Sequence, residues 1–279
     1  MEQVSPPQAI RERLLQHTDS NPPLTMLERE REMVRLCNQA RGELTGVDCP
    51  ACLNRGYFHR VDETGRRYVA ECSCMEQRRS LERMKRSGLA ELLDRYTFQN
   101  WQTPEPWQER ARELAYRYAE ERAGWFVMAG TVGAGKTHLC TALCSLLMER
   151  GLPVRYMMWR QFAVQAKALV ADADAYERLL APFKTVRVLY IDDLFKTGKG
   201  QAPTTGDVNL AFELLNCRYN DAGLLTILSM EGGLDRVLEL DEAVGSRIYE
   251  RSRQYYLQLD GKQNWRLRPS VGCGPDAAP

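Results

Sequence analysis

No stretch of the chain approaches the ~18 uninterrupted apolar residues that a membrane-spanning helix needs. The opening MEQVSPPQAIRERLL has no basic segment followed by an apolar core, so no secretory leader is expected. An excess of one charge is also missing. The 279 residues carry 38 Lys+Arg against 37 Asp+Glu, a formal net charge of +1. That balance argues against coating nucleic acid by bulk electrostatics and leaves room only for local patches. There is no internal repeat and no long low-complexity tract. With 44% hydrophobic and 27% charged residues, collagenous and wholly disordered readings are excluded. The length suggests one large domain and a small one. What is present is cysteine: nine residues, an odd number, without an export signal. A reducing compartment, the cytoplasm, is the expectation, and there clustered thiols favour metal over disulfides.

The chain reads in five stretches. Residues 1–48 hold Pro6, Pro7, Pro22 and Pro23 around a short helical pattern at Ile10–His17. A stronger helical pattern follows over Thr25–Arg41, with Thr25 as a cap. It is either a surface helix covering its own domain or an amphipathic segment that docks on a partner. Residues 49–75 form a cysteine-rich unit, 76–98 a charged linker helix ending near an aromatic-rich hinge, and 269–279 a frayed tail. Between them, 99–268 alternates apolar runs (GWFVMAG, VRYMM, VRVLYID, LLTILSM) with helical segments. That alternation predicts an α/β fold, a parallel sheet flanked by helices on both faces.

The strongest motif is Gly130-Thr131-Val132-Gly133-Ala134-Gly135-Lys136-Thr137, followed by His138, which satisfies G-x-x-x-x-G-K-[ST]. It lies between a predicted strand at Trp125–Ala129 and a predicted helix at Thr137–Arg150. Glycines let the backbone turn its N–H groups into a concavity for phosphate, and the helix N-terminus adds a favourable dipole. Lys136 would reach the β- and γ-phosphates of ATP, and the Thr137 hydroxyl would ligate Mg²⁺. A second apolar strand, VRVLYI, ends in Asp192-Asp193. Ligands bind beyond the carboxyl ends of strands in such sheets, so Asp192 is the magnesium candidate and Asp193 the base that orients water. The same pair can also simply start a turn. Ser229 near the end of the next strand, and Arg247 and Arg251 on one helical face, are further candidates. The arginines are either a solvated basic face or fingers that act on a neighbouring subunit's nucleotide.

Cys49-Pro-Ala-Cys52 and Cys72-Ser-Cys74 present two thiol pairs 19 residues apart. Two tight turns with paired soft ligands, joined by a hairpin with DETG at its tip, have the layout of a zinc ribbon. The unit has too few apolar residues to fold without such a staple. His59 is a possible substitute ligand. Cys37, Cys140, Cys144, Cys217 and Cys273 are scattered, most of them expected as small buried residues. Basic residues cluster at Arg78, Arg79, Arg83, Lys85 and Arg86, and again at Lys196 and Lys199. Beside a nucleotide site, these patches point to nucleic-acid contact.

Taken together, GTVGAGKTHL, VLYIDDLFKTGKG and SRIYERS resemble the DnaC-type replicative helicase loaders, including prophage-encoded forms. These are similar to the IstB-like transposition helpers within the AAA+ superfamily. The resemblance covers about residues 96–268, and the cysteine unit resembles the amino-terminal zinc module of some loaders. It implies an AAA+ P-loop ATPase domain with ATP, Mg²⁺ and Zn²⁺ as cofactors. The implied partners are a hexameric replicative helicase, single-stranded DNA and further copies of the chain. By this resemblance Lys136, Thr137 and Asp192 serve ATP–Mg²⁺, and Asp193 stands where many relatives carry Glu, which implies slow, switch-like hydrolysis. Ser229 occupies the sensor position, and Arg247 and Arg251 form the motif acting in trans, Arg251 being favoured as the finger. Two other functions fit the motifs: a transposition helper that recruits a transposase to target DNA, and a non-hydrolysing zinc adaptor.

Overall fold

The computed structural model describes residues 25–85, 90–198, 200–259 and 264–267. The predicted helix at Ile10–His17, Arg86, Lys199, Cys273 and the tail at 269–279 lie outside the described residues. The chain divides into two compact units, Met1–Arg79 and Ser80–Pro279.

In the first unit, helix α1 (Met26–Cys37) starts at a capping box. The Thr25 hydroxyl accepts from the Glu28 amide while the Glu28 carboxylate accepts from the Thr25 amide. Strands β1 (Tyr57–Val61) and β2 (Arg67–Glu71) pair antiparallel, from Tyr57 opposite Glu71 to Val61 opposite Arg67. At the turn, Asp62 Oδ1 accepts from the amides of Thr64 and Arg66 at 3.0 and 2.9 Å, and Gly65 supplies the positive φ. Asn38 joins the end of α1 to β1 by bonding both the amide and the carbonyl of His59. The hydrophobic centre of the unit is slight: Cys52, Cys72 and Cys74 buried, with Cys49, Phe58 and Met75 against them.

Helix α2 (Cys74–Met84) follows, and then α3 (Ala90–Arg95) and α4 (Pro106–Glu121). The second unit is built on strands β3 (Trp125–Gly130), β4 (Val154–Met158), β5 (Val188–Leu194), β6 (Leu225–Glu231) and β7 (Tyr256–Leu259). They form one parallel sheet in the order β4-β5-β6-β3-β7. Between them run α5 (Lys136–Glu149), α6 (Trp159–Ala168), α7 (Ala173–Thr185), α8 (Thr205–Tyr219), α9 (Leu234–Leu240) and α10 (Glu242–Ser252). The central strands β5, β6 and β3 are buried almost end to end because both sheet faces are covered.

Alternation along each strand sorts its residues between two cores. From β3, Phe126 and Met128 join one core with residues of α4 and α5, while Trp125, Val127 and Ala129 join the other with residues of α6 to α10. From β4 and β5, Tyr156, Val188 and Tyr190 lie in the first core, and Met157, Leu189 and Ile191 in the second. This parity also decides which face the polar residues at the strand ends occupy.

The predicted strands fall within a residue or two of those observed, but β7 was not anticipated. Its four residues alternate poorly, and it becomes a strand by pairing with β3 at the sheet edge. Of the charged linker helix expected over 76–98, the described residues show α2 and α3 as helical.

Arg218 on α8 is fully buried, with no carboxylate partner among the described residues. Its Nε donates to Thr226 Oγ1 at 3.0 Å, and its terminal nitrogens donate to the carbonyls of Phe183, Val186 and Leu225 at 3.0, 2.9 and 2.6 Å. Burial pulls the guanidinium down to about 10, still charged at neutral pH. The group ties α7, α8 and the start of β6 together. Replacing it in Arg218→Met strands these carbonyls in the interior, so urea unfolding should show a loss of about 3 kcal/mol. A change under about 0.5 kcal/mol would refute the tie.

Candidate nucleotide site and cysteine cluster

The glycine loop joins β3 to α5. Gly130, at φ +129°, passes so close to β7 that a Cβ there would lie 2.6 Å from the Leu259 carbonyl carbon. Gly135, at φ +95°, has the Trp101 ring where a side chain would go. The Thr131 hydroxyl donates to the Leu259 carbonyl at 3.1 Å, so the unanticipated strand β7 buttresses the loop. Lys136 is buried at the head of α5, its Nζ donating to the carbonyls of Gly130 and Thr131 at 2.8 Å each. Burial holds its ammonium below the usual lysine range, although Asp193 and Glu231 oppose that shift.

Asp192 continues the parity of Val188 and Tyr190, so it points to the face that carries α5. Its carboxylate is surrounded by hydroxyls. Tyr190 donates at 2.7 Å, Tyr156 at 3.2 Å, Thr137 lies at 3.2 Å, and Ser229 is bonded to the same oxygen as Tyr190. Burial first, and the Asp192 charge next, push both tyrosines far above the usual range, so their hydroxyls stay protonated donors. Ser229 reaches this group from the neighbouring strand β6 and also accepts from the Asp193 amide at 2.9 Å. It is fully buried, so it bridges the two aspartates from inside rather than facing solvent.

After Ile191 the β5–β6 register shifts, and Asp193 adopts φ +56° and Phe195 φ +61°. Asp193 leaves the strand's alternation and faces a pocket lined by Val132, Gly133, Gly135, Lys136, Thr137 and His138. Lys196 faces the same pocket. The lysine expected to contact nucleic acid instead pairs with Asp193 at 2.8 Å and Glu231 at 2.7 Å. Glu231 had not been singled out. It ends β6 two residues after Ser229, a spacing that could have flagged it.

His138 turns from the loop toward the hinge. Its Nε2 lies 2.9 Å from the Thr97 carbonyl, and its ring stacks on Tyr96 and meets Trp101 edge-on. Tyr96, Trp101 and Trp265 thus add aromatic walls beside the loop; of the three, only Trp101 lies in the aromatic-rich hinge read from the sequence. Arg247 and Arg251 do not line this pocket. Arg247 donates to Asn216 and to the Ala243 carbonyl and lies over the rings of Phe212 and Tyr219. Arg251 has two buried nitrogens without a hydrogen-bond partner.

The sulfurs of Cys49, Cys52, Cys72 and Cys74 all lie within 4.8 Å of one another. Cys49 and Cys72 are 3.8 Å apart, and Cys52 and Cys74 3.6 Å. Four sulfurs about 2.3 Å from a tetrahedral zinc would be about 3.8 Å apart, so this donor set fits zinc. His59 is not among the clustered groups. The Gly56 amide donates to Cys52 Sγ at 3.3 Å. Of the other cysteines, Cys140 and Cys144 are buried as expected, but Cys217 is exposed.

The basic run after the cluster is largely engaged within the chain. Arg78 donates to the carbonyls of Thr45 and Val47 and to Asn54 Oδ1, clasping the loop that leads into Cys49. Arg79 pairs with Glu71 and Glu76, and Arg83 donates to Ser80.

A glycine loop between a buried strand and a helix, with a serine- and tyrosine-held carboxylate beside it on the same face of a five-stranded parallel sheet, defines a P-loop ATP-binding protein of the AAA+ class. The chain belongs to the family of IstB-like ATP-binding proteins, whose sequence profile matches residues 64–251. It is similar to the uncharacterized protein YqaM of Bacillus subtilis (strain 168), 32% identical over 206 residues that cover 70% of this chain and 64% of YqaM. That match spans less than two thirds of YqaM's own length. It is 26% identical to the replicative helicase loader DnaC of Escherichia coli (strain K12), over 60% of this chain and 67% of that one. The crystal structure of DnaI matches with a TM-score of 0.51 at 21% identity, covering 61% of this chain and 93% of DnaI, a likeness of fold.

If Arg78 is a clasp, Arg78→Ala should open the 42–55 loop. Limited trypsin digestion should then cut at Arg55 at least several-fold faster than in the unchanged chain. An unchanged rate would return Arg78 to the solvated basic face.

Proposed function

We propose that this chain is an ATP-regulated loader that binds a hexameric replicative helicase and delivers it to single-stranded DNA. The observation that supports it best is the loop, carboxylate and hydroxyl constellation around Lys136 and Asp192, in a chain similar to a protein named a replicative helicase loader. Residues 99–268 would form the ATPase, 49–75 a zinc ribbon, 76–98 the linker and 1–48 the partner-binding segment.

The site fits ATP on its own geometry. The loop leaves no room for side chains at Gly130 and Gly135, and among the described residues the buried Lys136 ammonium bonds loop carbonyls, which a phosphate would replace with charge-assisted bonds. Thr137 Oγ1 and Asp192, already 3.2 Å apart, would hold Mg²⁺. Tyr156, Tyr190 and Ser229 fix the Asp192 carboxylate in advance of the metal, as outer groups do for metal ligands generally. Asp193 would orient the attacking water. Arg251, with Arg247 beside it on α10, would act on the nucleotide of a neighbouring copy, stabilising charge that develops on the phosphates. Bound ATP supplies the phosphoryl group whose loss would return the loader to its resting state. An IstB-like helper that recruits a transposase is the second reading, supported by the family to which the chain belongs.

Co-elution of the full chain with a purified replicative helicase, and ATP-dependent loading onto a DNA bubble, test the function. Failure with every cognate helicase, together with binding to a transposase, would replace the loader by the helper. Lys136→Ala should weaken ATP binding about 100-fold, measured by isothermal titration; unchanged affinity would refute the site. Metal analysis of the purified chain should find one zinc per chain, lost in Cys52→Ser. A metal-free, folded chain would remove the ribbon reading.

A further inference from the structure

Lys196 is the basic residue whose placement departs most from the sequence reading. It follows a backbone that leaves regular strand geometry: a register shift after Ile191, then Asp193 at φ +56° and Phe195 at φ +61°. Each such non-glycine residue holds the backbone in a strained conformation. What this turn delivers is Lys196 Nζ, placed 2.8 Å from Asp193 Oδ2 and 2.7 Å from Glu231 Oε1. The three side chains are all partly exposed, and ion pairs of that kind contribute little to stability. The pairing is therefore too weak to offset the strain. A role in stability does not account for the arrangement, whereas a role at the pocket does.

The pocket supplies that role. Lys196, Asp193 and Glu231 line the same concavity as Gly133, Lys136 and Thr137. Lys136 is drawn back onto loop carbonyls, so Lys196 is the second ammonium available to an anion there, and it is bound to two carboxylates with no bond to the loop.

We propose that Lys196 is a latch that reads the terminal phosphate of the nucleotide. Without that phosphate it neutralises Asp193 and bridges it to Glu231. When ATP is bound, Lys196 exchanges these carboxylates for the more highly charged terminal phosphate and leaves Asp193 Oδ2 free. ADP presents no terminal phosphate, so the latch stays closed on Asp193. Lys196 and Glu231 also line a second cavity of about 450 Å³, walled by Thr197, Gly198, Gly200 and Gln201 of the loop after β5 and by Arg236 and Val237 of α9. The exchange thus alters the footing of that loop, so the nucleotide state is felt outside the nucleotide pocket. This inference rests on the ATP reading of the P-loop and adds the residue that distinguishes ATP from ADP.

The test is direct binding of fluorescent N-methylanthraniloyl ATP and ADP to the full chain and its variants, with no turnover needed. Lys196→Met should lower the ATP-over-ADP affinity ratio about tenfold, with ADP affinity within about twofold of the unchanged chain. Lys196→Arg should restore most of the ratio. Glu231→Gln, which removes one competitor for Lys196, should raise the ratio, a change of sign that a poorly folded variant does not produce. An unchanged ratio in Lys196→Met, or equal losses for both nucleotides, would overturn the latch. An unchanged chain that binds neither nucleotide would overturn the ATP reading and the latch with it, which separates the two failures.

Discussion

A carboxylate taken into a protein interior must be given donors, and Asp192 is given them from four directions. Tyr190 lies on its own strand, Tyr156 on β4, Ser229 on β6 and Thr137 on α5. Donors to a charged acceptor each contribute about 1.5–3 kcal/mol, whereas an unsatisfied buried charge costs several. The order of strands around Asp192 is what makes four donors possible. With β5 between β4 and β6, and the parity of all three strands aligned, the hydroxyls converge on the face where α5 begins. The helix that opens with the P-loop lysine is thereby registered against the acidic strand end, and the spacing of the nucleotide site follows.

A second constraint works from the opposite edge. β7 is short and peripheral, yet it lies against the loop so closely that Gly130 has no room for a side chain. The loop is therefore held between an edge strand and a buried carboxylate network. That arrangement preorganises an anion site without any ligand contributing to it. The cysteine unit shows the reverse logic. Its interior is little more than its own sulfurs, so a metal bound by them would supply the stability that a hydrophobic core supplies in the larger unit.

The alternating apolar runs made the parallel sheet legible, and the P-loop, the Asp192–Asp193 strand end and the two cysteine pairs were legible as local spacings. Three things were not. β7 carries too few residues for a period to register, and only its pairing with β3 makes it a strand. Ser229 was a candidate by its place at a strand end, but its bond to Asp192 appears only when the sheet order sets the two side by side. Lys196 and Arg78 read as free positive charge because a sequence lists charges without their partners. In the fold, one faces two carboxylates and the other clasps a loop.

The sequence by itself determined the class of fold, the phosphate-binding loop and the sulfur donor set, because each is encoded in residues close along the chain whose spacing has a direct geometric meaning. Only the tertiary structure decided which strand stands next to which, where Glu231 and the aromatic walls fall, and which charges are already neutralised. Those depend on contacts between residues far apart in sequence. Asp192 and Ser229 are brought together across 37 positions, and Thr137 and Asp192 across 55, by the packing of a sheet whose strand order no local pattern states.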